Sequence, residues 1–171
     1  MQPNYKTKRL QLTNLSANDA DFIFELVNTT GWIKFIGDRN IRTNEDTAAY
    51  IQKIISNPDI TYWVVKLQDQ QIAVGIISFI KRDYLEQHDI GFAFLPAYAK
   101  QGYAFEATLT VLNDLFNDNR HKTILATTIK ENESSIQLLK KLGFTFSKQI
   151  VNGNDQLQLF TVTKEKLYNP Q

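Results

Sequence analysis

The stretch from His88 to Thr128 constrains the fold more than any other part of the chain. "HDIGFAFL" is apolar nearly throughout, as a central strand covered on both faces requires. "PAYAKQGYAFEA" then runs through a proline turn into a helix expected over about Gln101 to Asn117. "KTILATTI" follows as a strand rich in β-branched residues. A strand, a helix and a strand in this order form a crossover, and a crossover sets its two strands parallel. The helix start is unusual. Its first turn carries Lys100, Gln101 and Gly102, with no Ser, Thr, Asp or Asn to accept the free amide hydrogens. The amides of Lys100 to Phe105 are thus left for another acceptor.

The remaining segments predict mostly antiparallel pairing around that crossover. "RLQLTNL" reads as a first strand. Ser16 or Asn18 can cap a helix in "DADFIFELVN", where apolar residues recur at helical spacing. "TTGWIKFIGDRNIR", with Gly31 and Gly37, has no clean period and reads as a loop or a short broken helix. Thr43 caps "NEDTAAYIQKIIS", whose acids Glu45 and Asp46 suit the first turn, and Asn57-Pro58-Asp59 ends it. "ITYWVVKL" and "IAVGIISFIKR" are strands joined by "QDQQ". Ser134 to Leu142 is a short helix stopped by Gly143. "FTFSKQIV" and "QLQLFTVT", joined at Asn152-Gly153, form a closing hairpin. The tail "KEKLYNPQ" reads as surface. The expected architecture is one α/β domain of the α+β type over residues 1–171, with a mixed, mostly antiparallel sheet, one central parallel pair of strands set by the crossover, and flanking helices.

Composition excludes several chemistries. There is no cysteine, so thiol nucleophiles, disulfides and cysteine-zinc sites are ruled out. Two histidines, His88 and His121, cannot build a histidine-rich metal cluster, and no metal is expected. None of the glycine-rich or histidine motifs of P-loop NTPases, zincins, serine hydrolases or dinucleotide folds occurs. A formal net charge of +1 argues against a broad basic face for nucleic acid; an RNA-associated protein would rest on scattered Lys and Arg alone. No apolar run approaches the length of a membrane span, and the N-terminus lacks the apolar centre of a signal peptide. A cytoplasmic protein with no membrane partner is expected. The oligomeric state is open, a homodimer being allowed.

A helix N-terminus carries about half a positive charge and several unpaired donors, a combination that binds phosphate. Gly102 lets a ligand approach the backbone, and Lys100 adds a mobile charge. Gly102 could equally serve only to ease the turn.

"DIGFAFLPAYAKQGYAFEA" followed by "KENESSIQLLKKLGF" resembles the GNAT N-acetyltransferase superfamily. The likeness is to the branch holding ribosomal-protein N-terminal acetyltransferases and small-molecule relatives. The opening segments "TKRLQLTNLSANDADFIFELVN" and "GDRNIRTNEDTAAYI" resemble that branch as well. The superfamily's acyl-CoA motif, Gln/Arg-x-x-Gly-x-Gly/Ala, falls on Ala99-Lys100-Gln101-Gly102-Tyr103-Ala104. Ala99 and Lys100 depart from the usual residues there. The resemblance implies acetyl-CoA as co-substrate, with its diphosphate on Lys100, Gln101, Gly102, Tyr103 and Ala104. It implies splayed central parallel strands and a pantetheine arm along the backbone of Phe92, Ala93, Phe94 and Leu95, with Asn132 contacting that arm. Asn132 as a turn former and Ser134 as a helix cap are the local alternatives.

The reaction so implied is direct attack of a primary amine on the acetyl thioester in a ternary complex. The amine belongs to a protein N-terminus or a small molecule. An alkylamine has a pKa of about 10 and must lose a proton. Asp89 stands where relatives carry a glutamate proposed as base. His88 is its competitor, and adjacent strand residues point to opposite faces, so one of the two sees the cleft. An ion pair with Lys81 or Arg82 is the other role open to Asp89. Ser135 is placed to return a proton to sulfur. Phe35, Asp38 and Arg39 are expected in the acceptor wall, with Trp32 and Ile36 read as packing. A non-catalytic acyl-CoA-binding or sensing module on the same fold is the alternative.

Overall fold

Eight strands form a single sheet in the order β1-β2-β3-β4-β5-β6-β8-β7 in the computed structural model, which describes residues 3–117 and 120–169. The strands are β1 (Tyr5–Lys6), β2 (Leu10–Asn14), β3 (Ile60–Leu67), β4 (Ala73–Ile80), β5 (Asp89–Phe94), β6 (Thr123–Thr128), β7 (Thr145–Asn152) and β8 (Asp155–Thr163). The helices are α1 (Ala20–Val27), α2 (Thr30–Phe35), α3 (Asn44–Ile55), α4 (Tyr103–Asn117) and α5 (Glu133–Leu142). All ladders are antiparallel except β5–β6, which the α4 crossover makes parallel. Among the described residues no helix is long and apolar enough to cross a membrane.

Local chemistry sets most boundaries. Thr43 and Asp46 exchange hydrogen bonds with each other's backbone in a capping box at the start of α3. Gly143, at φ 101°, ends α5 in the left-handed conformation that a side chain resists. Gly153, at φ 60°, turns the β7–β8 hairpin. Helix α4 begins at Tyr103 rather than Gln101, because Lys100 and Gly102 both take positive φ, 59° and 83°. One short element goes beyond the sequence expectation: a two-residue β1 adds an edge to β2. Of the two readings of the segment with Gly31 and Gly37, the short helix holds, as α2 capped by Thr29.

The sheet is packed on both faces. Ile90 joins Val111, Leu112 and Leu115 of α4 and Leu139 and Leu142 of α5 in one core, with Phe92 and Phe94 against it. Val64 and Ile76 join Ile23, Leu26, Trp32, Ile51 and Ile54 of α1–α3 in another, with Ala93 packed against that one. The alternation of β5 therefore sends Ile90, Phe92 and Phe94 toward α4, and Asp89, Gly91 and Ala93 toward α1–α3. The C-terminal segment corrects a sequence expectation. Leu167 is buried in the α4–α5 core, Tyr168 donates its amide to the Leu142 carbonyl, and its ring meets Phe105 edge-on. Its polar neighbours had suggested a surface tail; Pro170 and Gln171 lie outside the described residues. Ile36, read as packing, is 41% exposed, whereas Trp32 is 4% exposed.

Candidate active site

β5 makes complete use of one neighbour and little of the other. Asp89 to Phe94 face Ile80 to Gly75 of β4 residue by residue. On the other side β5 and β6 share the single register pair Asp89–Leu125, with the Leu125 amide donating to the His88 carbonyl at 2.9 Å. The strands then separate. Leu95 donates to Val74, a pairing whose register also turns the backbone groups of Ala93 and Gly91 toward β4. The amides and carbonyls of Phe92 and Phe94 consequently face the opening, with no ladder partner among the described residues. Of the four residues implied along the arm, Phe92 and Phe94 turn their backbone into the gap. Ala93 turns its backbone to β4, and Leu95 gives its amide to β4 and its carbonyl to the Tyr98 amide.

The loop after β5 ends at the mouth of this gap. Lys100, Gln101 and Gly102 are exposed, and Tyr103 and Ala104 partly so. Among the described residues no carbonyl or side chain accepts a hydrogen bond from the amides of Lys100 to Phe105. Gly102 needs its glycine: at φ 83° a side chain is strained, and a Cβ would lie 3.2 Å from Nη2 of Arg9. A free amide cluster at a helix start, beside a gap edged with unpaired backbone groups, fits a nucleotide diphosphate and its amide-bearing arm.

Asn132 lies at the head of α5, beyond β6. Its Oδ1 accepts from the Ser135 amide at 3.3 Å, which leaves its amide hydrogens for another acceptor. Asn132 is thus the helix cap, a role the sequence had offered to Ser134. Ser135 is partly buried and Ser134 exposed.

Asp89, 3% exposed, sits where the gap closes, on the α1–α3 side. Burial pushes its pKa up from the ordinary carboxylate value, and the Arg82 guanidinium opposes that rise. Nε of Arg82 donates to its Oδ1 at 2.9 Å, so the ion pair anticipated as the alternative role is present. Oδ2 accepts from no side chain among the described residues. His88 points the other way: its ring stacks on Phe79 at 4.7 Å and meets His121 edge-on at 5.1 Å. Burial and the neighbouring His121 lower its pKa.

Sequence reading missed the polar row beside Asp89. Tyr62 faces Ser78 across β3–β4, and Ser78 faces Gly91 across β4–β5. A Cβ on Gly91 would come within 2.6 Å of the Ser78 hydroxyl. Burial, with the Tyr50 hydroxyl beside it, raises the pKa of Tyr62, which stays protonated. Tyr84 is likewise raised by burial, with Arg82 and Asp89 as its charged neighbours. The signal for this row was the shared strand parity of Tyr62, Ser78 and Asp89, readable only once the registers are known. In the wall segment, Asp38 pairs with Arg42, Lys34 lies over the Phe35 ring, and Arg39 is exposed, with a field that reaches Tyr62.

Known proteins resemble this chain in sequence and in fold. Residues 9–145 match the family model described as an acetyltransferase (GNAT) domain. An uncharacterized N-acetyltransferase of Bacillus subtilis, YnaD, is 30% identical over 153 residues, covering 87% of this chain and 89% of that one. The crystal structure of a GNAT-family acetyltransferase from Bacillus anthracis superposes with a TM-score of 0.80 at 26% identity, covering 95% and 99% of the two chains. A spermidine N-acetyltransferase from Vibrio cholerae, solved with CoA and spermine, shares the fold at a TM-score of 0.78 and 18% identity, covering 94% and 98%. These matches establish that the chain belongs to the GNAT family and is an acyl-CoA-dependent N-acetyltransferase.

Proposed function

We propose that this protein transfers the acetyl group of acetyl-CoA to a primary amine on a protein N-terminus or a small molecule, by direct attack in a ternary complex. The observation that carries the reading is the gap between β5 and β6, which runs from the free amides at Gly102 down to Asp89. When bound, acetyl-CoA supplies an activated acetyl thioester. The amides of Lys100 to Ala104 hold the diphosphate, the backbone of Phe92 and Phe94 holds the arm, and the Asn132 amide adds a contact. A β5 amide holds the thioester carbonyl.

Asp89 is the proton acceptor for the amine. Its burial makes it a stronger base than an exposed aspartate, and the Arg82 guanidinium opposes that rise by favouring the carboxylate. Oδ2 is the oxygen left to take the proton, directly or through water. Ser135 returns a proton to the leaving sulfur. On the acceptor side Tyr62 and Ser78 supply hydroxyls beside Asp89, and Phe35, Asp38 and Arg39 wall the entrance. The charge of Asp38 is spent on Arg42, so Arg39 sets the entrance potential and favours an acceptor with a carboxylate near its amine. The spermine complex of the Vibrio cholerae relative keeps polyamines in the panel.

The test is release of free CoA from acetyl-CoA across peptide N-termini, amino acids, amino-acid amides and polyamines. Amine-dependent release, stronger for carboxylate-bearing acceptors, is expected. If acetyl-CoA binds and no amine raises CoA release above spontaneous hydrolysis, the transferase reading fails.

A further inference from the structure

The turn between β1 and β2 docks on the first turn of α4, and the contact is made of charge. Nε and Nη2 of Arg9 both reach Oε2 of Glu106, each at 2.7 Å. The Arg9 amide donates to Oε1 of the same carboxylate at 3.2 Å, and the Thr7 hydroxyl donates to Oε1 as well. With these donors Glu106 is held below the usual carboxylate range, against the opposing effect of its burial. The guanidinium does more than close this pair. Its Nη1 donates to the Gln101 carbonyl at 2.9 Å, its Cζ lies over the Tyr103 ring, 4.6 Å from the centroid, and Nη2 lies beside Gly102.

We propose that Arg9 is a positioning residue for the diphosphate loop: it fixes the Gln101 carbonyl so that the amides from Lys100 to Phe105 point outward, and it stands beside them as a fixed positive charge. The proposal rests on the acetyl-CoA reading of that loop. The loop has two residues at positive φ, Lys100 and Gly102, flanking Gln101. A peptide so placed can turn its carbonyl toward the ligand or its amide, and an anion needs the amide. The bond from Nη1 selects the second orientation. A guanidinium carries five N–H groups in a planar fork; the bonds above leave one hydrogen on each Nη, on a side chain 43% exposed. The one on Nη2 is a free donor next to Gly102.

The geometry separates fork from charge. Lysine keeps the charge and can pair with Glu106, but its point ammonium cannot hold the Gln101 carbonyl and both carboxylate bonds together. Calorimetric CoA binding is compared among the parent, Arg9→Lys, Arg9→Gln and Thr7→Val, each checked for an unchanged melting temperature. Thr7→Val weakens the same brace without touching the guanidinium. Arg9→Lys is expected to bind CoA about tenfold more weakly, since a charge-assisted hydrogen bond is lost. Arg9→Gln should be weaker again and show a shallower salt dependence, and Thr7→Val should match the parent. In turnover the Arg9 variants raise KM for acetyl-CoA and leave kcat in place. Arg9→Lys binding as tightly as the parent overturns the inference alone, as does an equal loss in Thr7→Val. No CoA binding by the parent overturns the reading of the loop and the inference with it.

Discussion

β3–β4 and β5–β6 are neighbouring pairs in one sheet, built from similar β-branched and aromatic residues, and they end differently. β3 and β4 stay paired from Ile60–Ile80 to Lys66–Ala73, through a bulge near Val65. β5 and β6 part after Asp89–Leu125. Unpaired backbone groups inside a sheet cost free energy comparable to lost hydrogen bonds, so an opening in the middle of a ladder is an expensive feature. It persists where a ligand takes the missing partners. The zipped pair is scaffold, and the open pair is the place where the molecule holds donors and acceptors in reserve. A binding site and a merely poor sheet differ in what substitutions along the open pair do to acetyl-CoA.

The largest effect is expected at the mouth of the gap. Gly102→Glu puts a carboxylate among the free amides, forces a side chain into φ 83°, and presses a Cβ to within 3.2 Å of Arg9. Acetyl-CoA affinity should fall by about 100-fold or more, from lost donors and added repulsion. Calorimetry checks it, and undiminished binding would mean that the amides at Gly102 hold no diphosphate.

At the closed end, Asp89→Asn should lower kcat/KM by about 100-fold, the lower end of general-base contributions, with acetyl-CoA binding little changed. The sign of the pH effect follows from its environment. Burial raises the folded pKa of Asp89, and the base works when deprotonated, so kcat/KM declines as pH falls through that raised value. The asparagine variant should lose this acid limb, and its remaining pH dependence should follow deprotonation of the acceptor amine, whose pKa is about 8 for a chain N-terminus and about 10 for an alkylamine. An unchanged profile removes Asp89 from the proton path and leaves it as the partner of Arg82.

Between these ends, Gly75 on β4 keeps the gap clear. A Cβ there would sit 2.4 Å from the Phe94 ring, so the ring occupies the space that glycine leaves over β4. Gly75→Ala displaces the ring, and the unpaired side of β5 is the open direction. KM for acetyl-CoA should rise by about tenfold, in line with the ordinary cost of overpacking, while KM for the amine moves less. A purely global loss of stability would instead appear as a lowered melting temperature with both KM values intact.

The scaffold was far more legible in the sequence than the site. The Thr43 cap and the stop at Gly143 follow from residues a few positions apart, and the crossover through α4 from the order of three consecutive segments. The opposite facing of His88 and Asp89 was also legible, because strand alternation is local. The row Tyr62–Ser78–Gly91 depends on the registers of three strands, which no short window contains. Arg9 and Glu106 are 97 positions apart, and neither is unusual in its own segment. Leu167 was hidden for the opposite reason: polar neighbours masked a single apolar anchor. The GNAT-like motif singled out the loop at Gly102, but the bond that its Gln101 carbonyl accepts comes from Arg9, 92 positions away in the chain.

The smallest effect is expected one residue from Asp89. His88 shares its strand end yet stacks on Phe79 with His121 at its edge, on the α4 side of the sheet. Its pKa lies below the ordinary value of 6.5, first through burial and then through His121 and Lys81. The unfolded chain therefore takes up a proton there before the folded chain does. Stability is complete above pH about 6.5 and declines as pH falls through that value toward the lower folded pKa. His88→Gln should flatten this part of the melting-temperature profile and leave kcat/KM at neutral pH within about twofold, well short of a general-base loss. The acid limb assigned to Asp89 should survive the substitution. Loss of that limb in His88→Gln, with Asp89→Asn still showing it, would move the base to the other face of the sheet and place the amine beside α4 instead of α1–α3.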